Sequence, residues 1–187
     1  MPQNLFGLPT HILLLHVVVV LLPIVAAATV LVALSGRFRH RWGLATVAAT
    51  FVVTLFVPLT SQTGESLAAR LPRDAAIARH ASIGHQVVIW AAAFGICLFA
   101  VVVIDLLRRG SAPSDELTAP ERWATGHLPP RWRQATPGWT SSAFRLAQAL
   151  AVATAVGVTV MVILAGHSGA HAVWSHYPNL QRALGRR

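Results

Sequence analysis

Long apolar runs alternate with short polar segments along the whole chain. A helix needs roughly 17–25 predominantly apolar residues to cross a bilayer, and four runs meet that length: about Pro9–Leu34, Gly43–Leu59, Ile83–Leu107 and Ala143–Gly166. Between the second and third runs, Glu65–His80 alternates apolar and charged residues at helical spacing, which is typical of a short helix on a membrane surface. The pattern predicts an all-α integral membrane protein, an up-and-down four-helix bundle with a short amphipathic interfacial helix between spans 2 and 3.

We expect this bundle to be a single four-span membrane domain over residues 1–187. The stretch 108–142 is rich in Pro, Gly, Ser and Thr, a composition typical of an irregular linker loop. The first apolar run is too long for the core of a signal peptide, and no Lys or Arg precedes it. It therefore predicts an uncleaved span.

The composition agrees with this assignment and narrows the chemistry. Hydrophobic residues make up 55% of the chain and charged residues 11%, whereas a soluble domain carries about 25% charged residues. All 15 basic residues are Arg, and the absence of Lys excludes Schiff-base and lysine-nucleophile catalysis. No phosphate-binding glycine loop or nucleophile motif is present, so the sequence favours a protein that is not an enzyme.

The distribution of arginines predicts how the chain lies in the membrane. The first connection, "GRFRHRWG", holds Arg37, Arg39 and Arg41 within a very short segment. Short arginine-rich connections stay in the cytoplasm, which places this loop and the 108–142 loop inside and both termini outside a bacterial cell membrane. The same rule accounts for the formal charge of +9, so we expect a lipid bilayer and no nucleic acid as the partner.

Seven of the nine histidines gather at one end of the bundle when the spans are threaded up and down. They are His11, His16, His80, His85, His167, His171 and His176. Ionisable residues at a membrane span indicate function more often than decoration, and imidazole is a common ligand of metals and of haem iron. The pattern predicts a histidine-rich cofactor site at the extracytoplasmic end.

Three hypotheses follow for this site. In the first, the protein binds b-type haem and acts in electron transfer or as an accessory to a redox or respiratory membrane complex. The haem would be noncovalent because Cys97 is the one cysteine and no CxxCH motif exists. The expected axial pair is His16 and His167, supported by His11 and His80.

The second hypothesis is a non-haem zinc or copper site. Three or more His with a carboxylate suit these metals, and the candidate ligands are His11, His16, Glu65, His80 and His167. Glu65 has an alternative role as an acidic residue that stabilises a helix start. The third hypothesis is a structural subunit without a cofactor.

Spacing limits how the histidines can cooperate. His11 and His16 are five residues apart and point about 140° away from each other around a helix, so they are poorly placed to bind one ion together. His167 and His171 are four residues apart and share a helix face. Gly166 flanks His167 and, with the nearby Gly169, allows close approach of a helix or of a flat cofactor.

Four strings along the chain carry a family resemblance. They are "GLPTHILLLHVVVVLLP", "TGESL", "RHASIGH" and "GHSGAHAVW", which hold the candidate residues His11, His16, Glu65, His80 and His167. Together they resemble the bacterial membrane family called domain of unknown function 2231, in its actinobacterial form. The sequence departs from the family pattern at Ile12, where proline is common, and at His85, where an acid is expected.

The resemblance covers essentially all four spans. It implies a four-helix membrane protein without an assigned activity. Some members of the wider family are joined to Rieske-type iron–sulfur domains, which implies a link to electron transfer. The resemblance carries the same five residues forward as the best candidates for the site.

Overall fold

The structure is a computed structural model that describes residues 4–5, 8–70, 74–109, 118–127 and 139–175. Two short strands, β1 (Asn4–Leu5) and β2 (Leu8–Pro9), pair antiparallel ahead of the first helix. Five helices follow within the described ranges: α1 (Thr10–Leu34), α2 (Gly36–Ala68), α3 (Ala75–Arg109), α4 (Ala119–Gly126) and α5 (Trp139–Ser175).

Four of these helices, α1, α2, α3 and α5, are long and apolar enough to span a membrane. They form a ring in which each packs against its two neighbours, in the order α1, α2, α3, α5 and back to α1. The diagonal helices α1 and α3 barely touch. Consecutive spans run antiparallel, so the predicted up-and-down four-helix bundle is confirmed.

Apolar side chains occupy both the interior and the outer surface of the bundle. Phe94, Leu22 and Val158 are fully buried at the centre of the largest core cluster. Ile24 and Ile96 are more than half exposed on the outside, where a bilayer supplies the apolar surroundings that water would not. The exposed apolar belt is the surface expected of an integral membrane protein.

A single residue joins α1 to α2. Ser35 adopts an extended conformation (φ −114°, ψ 114°), and its hydroxyl accepts a hydrogen bond from the Phe38 amide at 3.3 Å. This N-cap starts α2 at Gly36. The arginine-rich segment predicted as a loop is therefore the first two turns of α2.

The connection between α2 and α3 also differs from the prediction. Helix α2 continues through Glu65 to Ala68, and α3 begins at Ala75, where the Asp74 carboxylate accepts from the Ala76 amide at 2.6 Å. The described parts of Glu65–His80 are thus divided between two long helices, and no separate interfacial helix lies among them. The polar ends of spans extend beyond the apolar core of a bilayer, which is why the apolar runs alone predicted shorter helices.

Among the described residues, a short helix, α4, lies instead in the stretch predicted as an irregular linker. Thr118 and Glu121 form a capping box: the Glu121 carboxylate accepts from the Thr118 amide and hydroxyl, both at 2.8 Å. This reciprocal cap, with Pro120 in the first turn, explains why α4 forms within a Pro- and Gly-rich stretch.

Candidate functional site

One end of the bundle, here called the histidine end, contains the starts of α1 and α3 and the last turns of α2 and α5. The imidazole of His11 lies there against α2, with its Nδ1 2.9 Å from the Thr60 carbonyl and 3.5 Å from the Thr63 hydroxyl. Thr63 donates its own proton within α2, 3.0 Å from the carbonyl of Thr60. Since the neighbours of Nδ1 both act as acceptors, Nδ1 carries the proton and donates it to Thr60.

The imidazole of His80 is held in the same way, by α5. Its Nδ1 lies 3.0 Å from the hydroxyl of Ser168. Ser168 donates to the Ala165 carbonyl at 3.0 Å, so its hydroxyl oxygen is left to accept from the imidazole. The proton of the His80 ring is therefore on Nδ1 as well.

Both rings consequently keep the Nε2 lone pair for another partner. An acceptor on one ring nitrogen fixes the tautomer and orientation of an imidazole whose other nitrogen binds a metal. Although α1 and α3 stand at opposite corners of the bundle, His11 and His80 are close enough for their charges to interact. Two half-buried imidazoles with one shared tautomer thus lie at the same end of the bundle.

A glycine lies under each ring. A Cβ at Gly64 would be 2.8 Å from Cε1 of His11, and a Cβ at Gly169 would be 3.0 Å from Cε1 of His80. Real Cβ atoms do not approach other atoms so closely without displacing them. The absent side chains therefore allow each imidazole to lie directly on the backbone of the neighbouring helix.

His85 and Glu65 form a separate pair that joins α3 to α2 at the surface. The Nε2 of His85 lies 3.1 Å from Oε1 of Glu65, and its Nδ1 lies 3.2 Å from the Ala81 carbonyl. The two side chains are 63% and 52% exposed. Both ring nitrogens of His85 thus already face a protein oxygen.

The remaining predicted histidines lie on the outside of the bundle. His16 on α1 and His167 and His171 on α5 have exposed side chains, and His176 lies outside the described residues. Within the described ranges, no three His, Cys, Asp or Glu side chains come close enough to hold one metal ion together. The structure therefore leaves His11 and His80 partly buried at the histidine end, while His16, His167 and Glu65 lie at the surface.

The opposite end, here called the arginine end, holds a buried ionic network that links α2, α3 and α4. Asp105 lies 3.1 Å from Nε of Arg39 and 3.0 Å from Nε of Arg109. Glu121 of α4 lies 3.6 Å from Nη1 of Arg109 and 3.4 Å from Nδ1 of His40. The side chains of Arg39 and Asp105 are each only 9% exposed, so each buried charge depends on its partner.

Arg39 also binds the end of α1. Its guanidinium donates to the Val32 and Ala33 carbonyls at 2.8 and 3.2 Å and lies 4.8 Å from the centre of the Phe144 ring. A cation suits the carbonyls at a helix C-terminus. A cavity of about 340 Å³ lies beside this network and is lined by α2, α3 and the start of α4. The ion pairs of the arginine end thus link the spans to α4.

Sequence reasoning missed the hydroxyl residues that hold the two imidazoles. Thr63 and Ser168 each stand immediately before a glycine, in the pairs Thr63-Gly64 and Ser168-Gly169. A hydroxyl next to a glycine near the end of a span was the available signal. Its meaning depends on which histidine lies opposite, and that information is not local in the sequence.

Comparison with known proteins adds one finding. No curated protein and no solved structure matches the chain. The family described as a predicted membrane protein, domain of unknown function 2231, matches residues 7–181, a range that includes all four spans. The match confirms the resemblance found in the sequence, and the chain belongs to this family of membrane proteins.

Proposed function

We propose that this membrane protein binds b-type haem between His11 and His80 and acts in electron transfer or as an accessory to a redox complex. The observation that carries the proposal is the shared state of the two rings. Each has its Nδ1 proton fixed by an acceptor on a neighbouring helix, and each keeps Nε2 for a guest.

The residues around the pair fit such a guest. Two neutral imidazoles are a suitable donor set for haem iron, and bundle cores commonly hold cofactors between facing helices. Apolar side chains of the largest core cluster lie a few residues further into the bundle than the two imidazoles. Among them are Val18 of α1, Val87 of α3 and Val162 of α5. Bound haem would supply a one-electron redox centre, while the chain holds the imidazoles and excludes water.

The proposed pair differs from the pair His16 and His167 predicted from the sequence. Both of those side chains are exposed, whereas His11 and His80 are half-buried and have their Nδ1 atoms fixed by described acceptors. The geometry therefore favours His11 and His80 over His16 and His167 as the haem ligands.

A zinc or copper site is the second candidate. The observation in its favour is Glu65, which follows directly after Gly64, the residue under the His11 ring. Imidazole with carboxylate suits these metals, and Glu65 would have to turn its carboxylate toward the imidazole pair to complete such a site. The present partner of Glu65 is His85, so this candidate requires the surface pair to open.

We further propose that the histidine end faces outward from a bacterial cell membrane. Arg37, Arg39, Arg41, Arg108 and Arg109 all lie at the opposite end, in or beside the turns where spans meet. Arginines flanking short connections are retained on the cytoplasmic side. Both chain termini then lie outside, and a redox partner would meet the site from that side.

The proposal is tested by purifying the full chain in detergent and recording its absorption spectrum before and after reduction with dithionite. A haem protein shows a Soret band and sharpened bands on reduction, and elemental analysis of the same sample measures iron, zinc and copper. His11→Ala and His80→Ala should each remove the haem spectrum. His85→Ala is the matched control because it removes an imidazole from the same end without touching the pair.

Other outcomes have definite meanings. Loss of the spectrum in His16→Ala and His167→Ala, with His11→Ala unaffected, would support the sequence-based pair and refute ours. A colourless protein with stoichiometric zinc or copper would favour the second candidate. A folded protein with neither colour nor metal, after expression with added haem precursor and metals, would leave a structural subunit.

A further inference from the structure

We infer that α1–α2 and α3–α5 are two copies of one histidine-holding hairpin, and that Thr63 and Ser168 are equivalent positioning residues for the two imidazoles. The family description assigns no role to these residues. Three observations support the duplication: the burial pattern, the sequence motifs at the histidine end and the packing of the helices.

Most buried positions of the spans in the two hairpins coincide. One constant shift along the sequence moves six of the seven buried positions of α1 onto buried positions of α3, pairing Val18, Leu22, Val25, Thr29, Val32 and Ala33 with Val87, Ala91, Phe94, Leu98, Val101 and Val102. The shift that superposes α2 on α5 pairs Thr46, Thr50, Val53 and Val57 with Ala151, Ala155, Val158 and Val162. Each helix therefore presents the same face to the core as its counterpart.

The same two shifts superpose the chemistry of the histidine end. The first moves His11 onto His80 and His16 onto His85, two histidines spaced five residues apart in each hairpin. The second moves the acceptor Thr60 onto Ala165, the hydroxyl of Thr63 onto that of Ser168, and Gly64 onto Gly169. The Thr63 hydroxyl lies 3.5 Å from Nδ1 of His11 and the Ser168 hydroxyl 3.0 Å from Nδ1 of His80, and a glycine lies under each of the two rings.

The packing of the bundle has the matching symmetry. The most extensive interfaces lie within the hairpins, between α3 and α5 and between α1 and α2. The two interfaces between hairpins, α2 with α3 and α1 with α5, are equal in extent. An approximate two-fold axis along the bundle exchanges the hairpins, and His11 and His80 lie on opposite sides of this axis.

The symmetry defines what the site can accept. A guest on the axis meets two equivalent Nε2 atoms, one from each hairpin, so one guest per chain would be coordinated from two sides. Haem iron belongs to this class, as does any metal centre that takes two imidazole nitrogens from opposite directions. This statement about the guest rests on the proposed function, whereas the equivalence and the common tautomer of the rings do not.

Nitrogen NMR of the imidazole rings tests the inference without any guest. The full chain, labelled with ¹⁵N-histidine in detergent and kept free of haem and added metal, is measured at a pH where the rings are neutral. Signals of His11 and His80 are identified by their loss in His11→Asn and His80→Asn. We expect both rings to carry the proton on Nδ1, which gives a pattern distinct from the Nε2-protonated form common in water-exposed histidines.

Positioning is tested by variants of the supporting residues. Gly169→Ala should shift the His80 signals and leave His11 unchanged, while Gly64→Ala should do the reverse. Gly166→Ala is the matched control, because nothing lies within 4 Å of a Cβ at that position. In Ser168→Ala the share of the Nδ1–H form of His80 should fall, and Ser168→Thr, which imitates the other hairpin, should restore it.

An Nε2-protonated ring at either His11 or His80 in the unmodified protein would overturn the inference, and this reading requires no variant to fold. So would unchanged His80 signals in a folded Gly169→Ala variant. A protein that shows both expected tautomers but never binds haem or metal would refute the proposed function and leave the duplicated hairpin intact.

Discussion

The indole of Trp90 in α3 occupies the space that a side chain at Gly157 of α5 would need. A Cβ at Gly157 would overlap three carbons of the indole ring. In the other hairpin the equivalent positions hold Leu21 and Val52, so a large and a very small residue in one hairpin replace two side chains of medium size in the other. This contact lies near the middle of the most extensive helix interface in the bundle.

Gly157→Ala should therefore destabilise the protein. Overpacking of a tight contact costs about 1–3 kcal/mol, because the indole must leave its preferred rotamer or the helices must separate. The measurement is thermal unfolding in detergent, followed by circular dichroism. Gly95→Ala in α3, where nothing lies within 4 Å of the new Cβ, should unfold at or above the temperature of the unmodified protein; equal melting of the two variants would contradict the contact.

Asp105→Asn should destabilise the arginine end strongly. The carboxylate of Asp105 neutralises Arg39 and Arg109 where the side chains are largely buried, and loss of one member of a buried ion pair costs about 3–5 kcal/mol. Glu65→Gln is the matched control, because it breaks the exposed pair with His85, worth about 0–1 kcal/mol. If both variants unfold at the same denaturant concentration, the buried network does not stabilise the protein more than the exposed pair does.

Glu121→Ala should release α4 without disturbing the spans. The Glu121 side chain holds α4 to Arg109 and His40 and also closes the capping box with Thr118. Hydrogen–deuterium exchange should show faster exchange across Ala119–Gly126, with protection of α3 retained. Retained protection of α4 in this variant would show that apolar contacts, such as that of Ala124 with the core, are sufficient to dock it.

His11→Ala and His80→Ala should act as one unit in haem binding. A guest coordinated from two sides loses its site when either imidazole is removed. Each single variant should therefore already have lost haem binding, and the double variant should lose no more. Haem titration by absorbance measures the stoichiometry, which we expect to be one per chain. Additive losses in the double variant would instead indicate two independent sites.

The spans were predictable because bilayer thickness sets the length of an apolar run. The first span, predicted as Pro9–Leu34, begins one residue before α1 and ends at the same residue. The other three helices are longer than predicted, since their ends carry polar residues that a length criterion for apolar runs does not count. Arg39 illustrates the reason. The apolar runs predict that it belongs to a loop, yet it lies in α2 with its guanidinium beside Asp105 of α3.

The gathering of histidines at one end was also predictable, because up-and-down threading fixes the level of each residue in the membrane. The choice among them was not. The level of a residue says nothing about its rotation around the helix axis, and His11 and His16 lie at the same end of α1 but not on the same face. Only the packing of α1 against α2 shows that His11 turns inward, although the repeated spacing of His11 with His16 and His80 with His85 contained the clue.

The order in which the chain is synthesised gives the last helix a special part. Ser168 and Gly169, which lie against His80, belong to α5, the fourth span in chain order. A nascent protein with three inserted spans can already seat His11 on α2, but the Ser168 hydroxyl beside His80 is not yet in place. Completion of the imidazole pair therefore coincides with insertion of α5, and a guest that needs both rings would be captured only after that step.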